Sequence, residues 1–335
     1  MPVMTYREAL TEGYRQAMRA DERVVILGED VAGGAGASGE RNIGGIFGPY
    51  PDFLPEFGEA RMIDTPISES AIIGTAVGAA LVGLRPVAEI MFADFLGLCL
   101  DQMWNQAAKF RYMFGGQTSC PVVFRVNMGA GMSAGSQHSQ TGYPMVTNIP
   151  GLKVVVPASP ADVRGLIPTA IDDPDPVIIF DHKALFTDKG EVPEGDHRIP
   201  FGEAELVLEG DDCTVVAIAR MVKFSRKAAE ALKADGISID LINPRTLSPL
   251  DEETILESVE HTGRLVVVDE SNPRCSAATD IAALVASKGF SSLKAPIELV
   301  TAPHTPPPFA PNLERAYVPS PKDIEAAIRK AVKGG

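Results

Sequence analysis

The sequence predicts an α/β protein of two domains. Short β-branched runs alternate with longer segments of helical character, an order that needs crossover connections and therefore a mainly parallel sheet. At residues 187–202 the alternation breaks into TDKGEVPEGDHRIPFG, rich in Gly, Pro and charge, and a second alternating series follows. A chain of 335 residues is long enough for both series to bury a core. The expected organisation is a first domain over 1–186, a linker over 187–202 and a second domain over 203–335.

Each element has its own signal. In the first series VVIL at 24–27, PVAEIMF at 86–92, PVVFRV at 121–126, KVVVP at 153–157 and PVIIF at 176–180 read as strands buried on both faces. Helices are expected between them at 5–20, 68–83, 94–114 and 161–172. In the second series strands are expected at 214–219, 237–242 and 265–270, with helices at 221–234 and 251–261.

Composition excludes several function classes. Hydrophobic residues make up 45% and charged residues 22%, as in ordinary globular proteins. Lys and Arg number 30 against 44 Asp and Glu, a net charge of −14, and no basic run could neutralise a phosphate backbone, so nucleic acid is not an expected partner. Arg7 and Glu8 precede any long apolar run, and the apolar stretch 74–84 is too short and glycine-rich to span a bilayer; a cytoplasmic protein is expected, with no membrane partner. Cys99, Cys120, Cys213 and Cys275 form no C-x-x-C pair and read as small core residues. The histidines show no H-E-x-x-H.

Two glycine motifs invite functional readings and fail on context. Gly34, Gly36 and Gly39 match the dinucleotide pattern G-x-G-x-x-G, yet more Gly and Pro follow where a helix should begin, and a loop is the better reading. Gly131, Ser133 and Gly135 match the hydrolase elbow G-x-S-x-G, but NMGAG intervenes where a sharp strand-to-helix turn is required. Other residues keep two readings. Glu69 is by periodicity a helix-terminal acid meeting the positive end of the helix dipole, on a helix whose Gly74 and Gly78 permit close approach of another backbone. His138 is an acid/base or a hydrogen-bonded loop histidine. Phe92 and Phe95 are core or cofactor-stacking aromatics, and Asp172, Asp173 and Asp175 read as a solvated helix end.

These residues fall into an ordered set: LGED at 27–30, DTPISES at 64–70, GLRPVAEIMFADF at 83–95, QHSQ at 137–140 and PGLKVVVP at 150–157. Together they resemble the β subunit of the thiamine-diphosphate-dependent component of 2-oxo acid dehydrogenase complexes, over nearly the whole chain. Within that family, residues 92–116, 272–290 and 301–306 look most like acetoin dehydrogenase. The loop at 33–48 matches least and carries no role over.

The resemblance implies a transketolase-like pyrimidine-binding domain followed by a transketolase C-terminal domain. It assigns Glu69 as the catalytic glutamate that hydrogen-bonds a pyrimidine nitrogen of the cofactor, Phe95 as the aromatic packed on the pyrimidine, His138 as an active-site histidine and Glu29 as part of a nearby acidic hydrogen-bond chain. It places a potassium site at Val122, Ala170, Ile171, Asp173 and Asp175. The implied reaction cleaves acetoin to acetaldehyde and passes the remaining hydroxyethyl unit to lipoamide as acetyl, with pyruvate or a branched-chain 2-oxo acid as the alternative substrate and a non-catalytic assembly subunit as a remote one. The G-D-G motif with which this enzyme class holds magnesium and the diphosphate is absent from the sequence. The resemblance therefore implies an α subunit that supplies it, in an α2β2 heterotetramer docked on a dihydrolipoamide acetyltransferase core.

Overall fold

The computed structural model describes residues 1–33 and 44–334, and within them the chain packs as two compact units. The first comprises Met1–Met128, Met145–Asp181 and Leu185–Phe201; the second comprises Gly129–Pro144, His182–Ala184 and Gly202–Gly335. Gly34, Gly36 and Gly39 lie outside the described residues.

The first unit holds strands β1 (Val3–Thr5), β2 (Val24–Gly28), β3 (Met62–Asp64), β4 (Arg85–Ile90), β5 (Val123–Met128), β6 (Lys153–Val155), β7 (Val177–His182) and β8 (Lys189–Glu191). Its helices are α1 (Tyr6–Ala20), α2 (Phe53–Phe57), α3 (Glu69–Leu81), α4 (Ala108–Met113), α5 (Tyr143–Thr147) and α6 (Pro160–Asp172). The sheet runs in the order β6-β7-β5-β4-β2-β3. β2 pairs in parallel with β3 and β4, β4 with β5, and β6 with β7. Helix α1 starts at Thr5 because Thr5 and Glu8 form a reciprocal capping box. Its buried face, including Tyr6, Leu10 and Tyr14, joins Ile26, Val87, Val123 and Ile179 of the sheet in one core. Helix α6 is capped by Ser159 with proline at its first position.

Two segments of this unit depart from expectation. The single helix expected at 94–114 is a 3-10 turn over Ala93–Leu98, a π turn over Gln102–Ala107 and then α4. Gly97 weakens helical continuity at the first break, and the tighter turn buries Ala93 and Leu96. The Gly-Pro-charged segment at 187–202 contains β8, which pairs antiparallel with β1, a partner far away in sequence that a local pattern cannot announce.

The second unit holds β9 (Glu205–Leu208), β10 (Cys213–Ala217), β11 (Ile239–Asn243), β12 (Thr246–Ser248), β13 (Leu265–Asp269) and β14 (Glu298–Thr301), with α7 (Arg220–Leu232), α8 (Glu252–Thr262), α9 (Ala277–Lys288), α10 (Pro311–Tyr317) and α11 (Pro321–Lys333). Its sheet runs β14-β13-β10-β11-β9, parallel except for the antiparallel edge strand β9. Val216, Ile242, Val267, Ile255 and Ile281 centre its core. No helix of the described residues is long and apolar enough to cross a membrane. Cys99, Cys120 and Cys213 are buried as expected, whereas Cys275 is exposed in the turn before α9.

Candidate active site

Three carboxylates gather at the carboxyl ends of neighbouring strands of the first unit. Glu29 follows β2 directly, Glu69 opens α3 after β3, and Glu89 lies near the end of β4. Parallel sheets bind ligands along this edge, where strands end and helix N-termini begin. Glu69 is 9% exposed and Glu89 2%. No side chain caps the first turn of α3, so the Glu69 carboxylate is the charge that meets the positive helix end. Burial raises the Glu29 carboxyl above the usual range, reinforced by the charges of Asp30, Glu69 and Glu89. Glu29 therefore keeps its proton to higher pH than an ordinary glutamate, within the field of Glu69. Burial, then the field of Glu69, pushes the Cys99 thiol up to about 12, which removes it as a nucleophile at neutral pH.

Phe95 stands half-buried on the 3-10 turn and packs edge-to-face on Phe92 at 5.6 Å, and Phe92 packs on Phe47 at 5.7 Å. The aromatic that the resemblance assigns is thus held by a second ring.

Glu89 also joins a buried ionic group on three adjacent strands. Arg125 of β5 stands in register with Glu89 of β4 and donates to it. Its Nε donates to Asp181 of β7 at 2.8 Å and its other terminal nitrogen to Asn127 at 3.0 Å. The Tyr6 hydroxyl of α1 donates to Asp181 at 2.7 Å. Arg125 and Asp181 are wholly buried. The signal for this group was present in the sequence: one charge stands in each of the apolar runs PVAEIMF and PVVFRV, and another directly follows PVIIF, and buried charges must be paired.

In the second unit His138 is half-buried on a loop that opens at Gly129 and closes where the Gly129 amide donates to the Gln140 carbonyl at 3.1 Å. The buried Lys183 ammonium donates to the His138 carbonyl. His182 and Glu270, which the sequence reading did not single out, form a buried pair with Nε2 to Oε2 at 2.9 Å. The Ala184 amide donates to His182 Nδ1 at 3.2 Å, so the proton sits on Nε2 and points at Glu270. Burial raises the Glu270 carboxyl, but the interaction with His182, the Ala130 amide hydrogen bond and the field of Arg220 together outweigh it and hold it below the usual range. Asp181, His182 and Glu270 all lie at the carboxyl ends of apolar strands, a position that marks function in parallel sheets. Gly129 is obligatory: its φ is +90° and a Cβ there would stand 2.2 Å from His182 Nε2. Gly129→Ala is expected to destabilise the protein by roughly 2–5 kcal/mol through combined backbone strain and overpacking, read as a lower urea midpoint.

Ser133 does not form a nucleophile elbow: its hydroxyl donates to Glu314 at 3.2 Å rather than to a histidine. Of the five residues of the expected potassium site, Val122 lies on a segment tied to the stretch after α6, where Cys120 N donates to Pro174 O at 3.0 Å and Val177 N to Val122 O at 3.0 Å, while Ala170 and Ile171 lie in the last turn of α6. Asp173 accepts from Lys153 at 2.6 Å, Asp175 from Arg111, and the Ile171 carbonyl from Arg85. The carboxylates are already matched by cations, and the Val122 and Ile171 carbonyls already accept hydrogen bonds from Val177 and Arg85. Among the described residues no three His, Cys, Asp or Glu side chains gather as a polyvalent metal would need.

Comparison with known proteins agrees with this architecture. Residues 3–189 match the transketolase pyrimidine binding domain and residues 202–324 the transketolase C-terminal domain. The chain is 53% identical over 333 residues to the acetoin:2,6-dichlorophenolindophenol oxidoreductase subunit beta of Cupriavidus necator, covering 99% of this chain and 98% of that one. It is 50% identical to the protein of the same name from Bacillus subtilis, covering 96% and 95%, and 40% identical to the 2-oxoisovalerate dehydrogenase subunit beta of Bacillus subtilis, covering 98% and 99%. A solved structure described as a split gene transketolase, inactive beta4 tetramer, shares the fold with a TM-score of 0.77 at 23% identity, covering 99% of each chain. Both domain matches, in this order, and the full-length relatives establish that the chain belongs to the transketolase-like family that includes the β subunits of acetoin oxidoreductases and 2-oxo acid dehydrogenases.

Proposed function

We propose that this chain is the β subunit of a thiamine-diphosphate-dependent acetoin dehydrogenase component, in which it supplies the activating Glu69. The observation that carries the substrate is the gradient of similarity: 53% and 50% identity to acetoin oxidoreductase subunits against 40% and 41% to 2-oxoisovalerate and pyruvate dehydrogenase subunits. The acidic edge of the first unit fits the pyrimidine part of the cofactor: a buried carboxylate on a helix end, a neighbouring glutamate whose carboxyl lies above the usual range, and a braced aromatic.

When bound, thiamine diphosphate supplies a nucleophilic thiazolium carbon and an electron sink. Glu69 holds a proton at its carboxyl oxygen against a pyrimidine ring nitrogen, and Glu29 sustains an acidic chain that lets this proton exchange. Phe95 packs on the pyrimidine and excludes water from that face. His138 hydrogen-bonds or protonates groups in the substrate step and in the lipoyl step. The diphosphate and magnesium fall to an α subunit, in an α2β2 assembly on a dihydrolipoamide acetyltransferase core in the cytoplasm. A potassium ion at Val122, Ala170, Ile171, Asp173 and Asp175 would brace the end of α6.

The test is a substrate panel on the chain co-purified with its α partner, read by dichlorophenolindophenol reduction. Acetoin is expected to turn over well above pyruvate and branched-chain 2-oxo acids, and the isolated chain is expected to be inactive. Preference for a 2-oxo acid overturns the substrate, and full activity of the isolated chain overturns the need for a partner.

A further inference from the structure

The segment Gly129–Gly135 alternates backbone hands. Gly129, Gly131, Ser133 and Gly135 have φ of +90°, +113°, +53° and +80°. Residues of alternating hand turn successive amides to one side and make a concavity for an anion. Two carboxylates of the protein fill it. The Ala130 amide donates to Glu270 Oε1 at 2.6 Å, and the Gly131 amide to Glu314 Oε1 at 2.8 Å. The Ser133 amide donates to Glu314 Oε1 and Oε2 at 3.1 and 3.0 Å, and the Ser133 hydroxyl to Oε2 at 3.2 Å. Glu314 is 4% exposed and Glu270 4%.

Burying a carboxylate is costly unless its oxygens are hydrogen-bonded, and a loop amide away from regular structure needs an acceptor. Each requirement meets the other here. Further along the same loop, Ser136 donates to the Pro307 carbonyl at 2.6 Å, and the His138 amide donates to the Gly135 carbonyl at 3.2 Å. The histidine thus follows the clamped turn directly, within one continuous run of hydrogen bonds.

We propose that Glu314, with Glu270, is a positioning residue for His138: its carboxylate clamps the 129–135 turn and so sets where the histidine stands. The G-x-S-x-G pattern in this chain is then a carboxylate cradle, its serine hydroxyl one of the donors. The inference rests on the proposed role of His138. Removing Glu314 leaves three donors of the turn without their acceptor, so the loop relaxes and the histidine drifts, whereas substrate contacts made elsewhere persist.

The experiment uses the chain assembled with its α partner. His138→Ala is expected to lower kcat by roughly 100-fold or more. Glu314→Ala is expected to lower kcat by about 10- to 100-fold with little change in KM for acetoin, the penalty of a displaced catalytic group. Glu314→Gln, which keeps one acceptor oxygen and the side chain's size, is expected to recover part of the loss and guards against a variant that fails to fold. Combined with His138→Ala, Glu314→Gln is expected to cost nothing more, because it acts through that histidine. Hydrogen exchange should show lost protection at the Gly131 and Ser133 amides in Glu314→Ala, and a smaller loss in Glu314→Gln. Multiplicative losses in the double variant, a full kcat in Glu314→Ala, or unchanged protection overturns the clamp. Full turnover of His138→Ala instead overturns the role of His138, and the clamp's purpose with it.

Discussion

In the assembled enzyme, Glu69→Gln is expected to lower acetoin turnover by roughly 100- to 10,000-fold, the range for loss of a positioned acid/base group, while assembly and fold remain intact. Glutamine keeps the shape and a hydrogen bond but cannot carry the exchanging proton. The structural cost is modest, because a carboxylate in the first helical turn contributes about 0.3–1 kcal/mol through the dipole, and up to about 2 kcal/mol where it is partly buried. A large kinetic loss with little change in melting temperature therefore separates the catalytic reading of Glu69 from the helix-cap reading. Full turnover of the assembled Glu69→Gln enzyme would mean that the chain serves assembly and not proton exchange.

The largest effect on stability is expected at Arg125. It is wholly buried and binds Glu89 and Asp181 together. Arg125→Met leaves two buried carboxylates facing an apolar side chain, and breaking such a pair costs about 3–5 kcal/mol. Burial already raises the Asp181 carboxyl, against the opposing pull of Arg125. Without the arginine both carboxyls are expected to take up protons on folding, so the deficit of the variant grows as pH rises through their folded-state values and shrinks as pH falls. Urea unfolding at several pH values measures this, and adding Glu89→Gln and Asp181→Asn to Arg125→Met is expected to recover part of the loss. A pH-independent deficit would assign the cost to lost packing alone.

Much of the fold was legible because its signals are local. The capping pairs Thr5 with Glu8 and Ser159 with Asp162 sit within three residues of each other and mark helix starts. The runs VVIL, PVVFRV and LVVVDE mark buried strands by composition alone. What failed locally also has a reason. The strand Lys189–Glu191 lies in a Gly-Pro-charged context and exists through its pairing with Val3–Thr5. The break of the expected helix at 94–114 serves the burial of Ala93 and Leu96 as much as any propensity of Gly97.

The site divides the same way. Glu29, Glu69, Phe95 and His138 were reached through ordered motifs, and by periodicity alone Glu69 was a helix-terminal acid. His182, Glu270 and Glu314 carried no motif, although the first two end apolar strands. By itself the sequence determined the elements that carry a local signal, the two-domain order and the family, since these signals depend on hydrogen bonds, side-chain periods and motifs that close within a few residues. Only the tertiary structure decided which charges meet. The Arg125 to Glu89 and Arg125 to Asp181 contacts span 36 and 56 residues, and the Glu314 to Gly131 contact spans 183. Such pairings follow from strand order and register, which no local pattern encodes. A buried charge announces that it needs a partner, and the fold chooses which one.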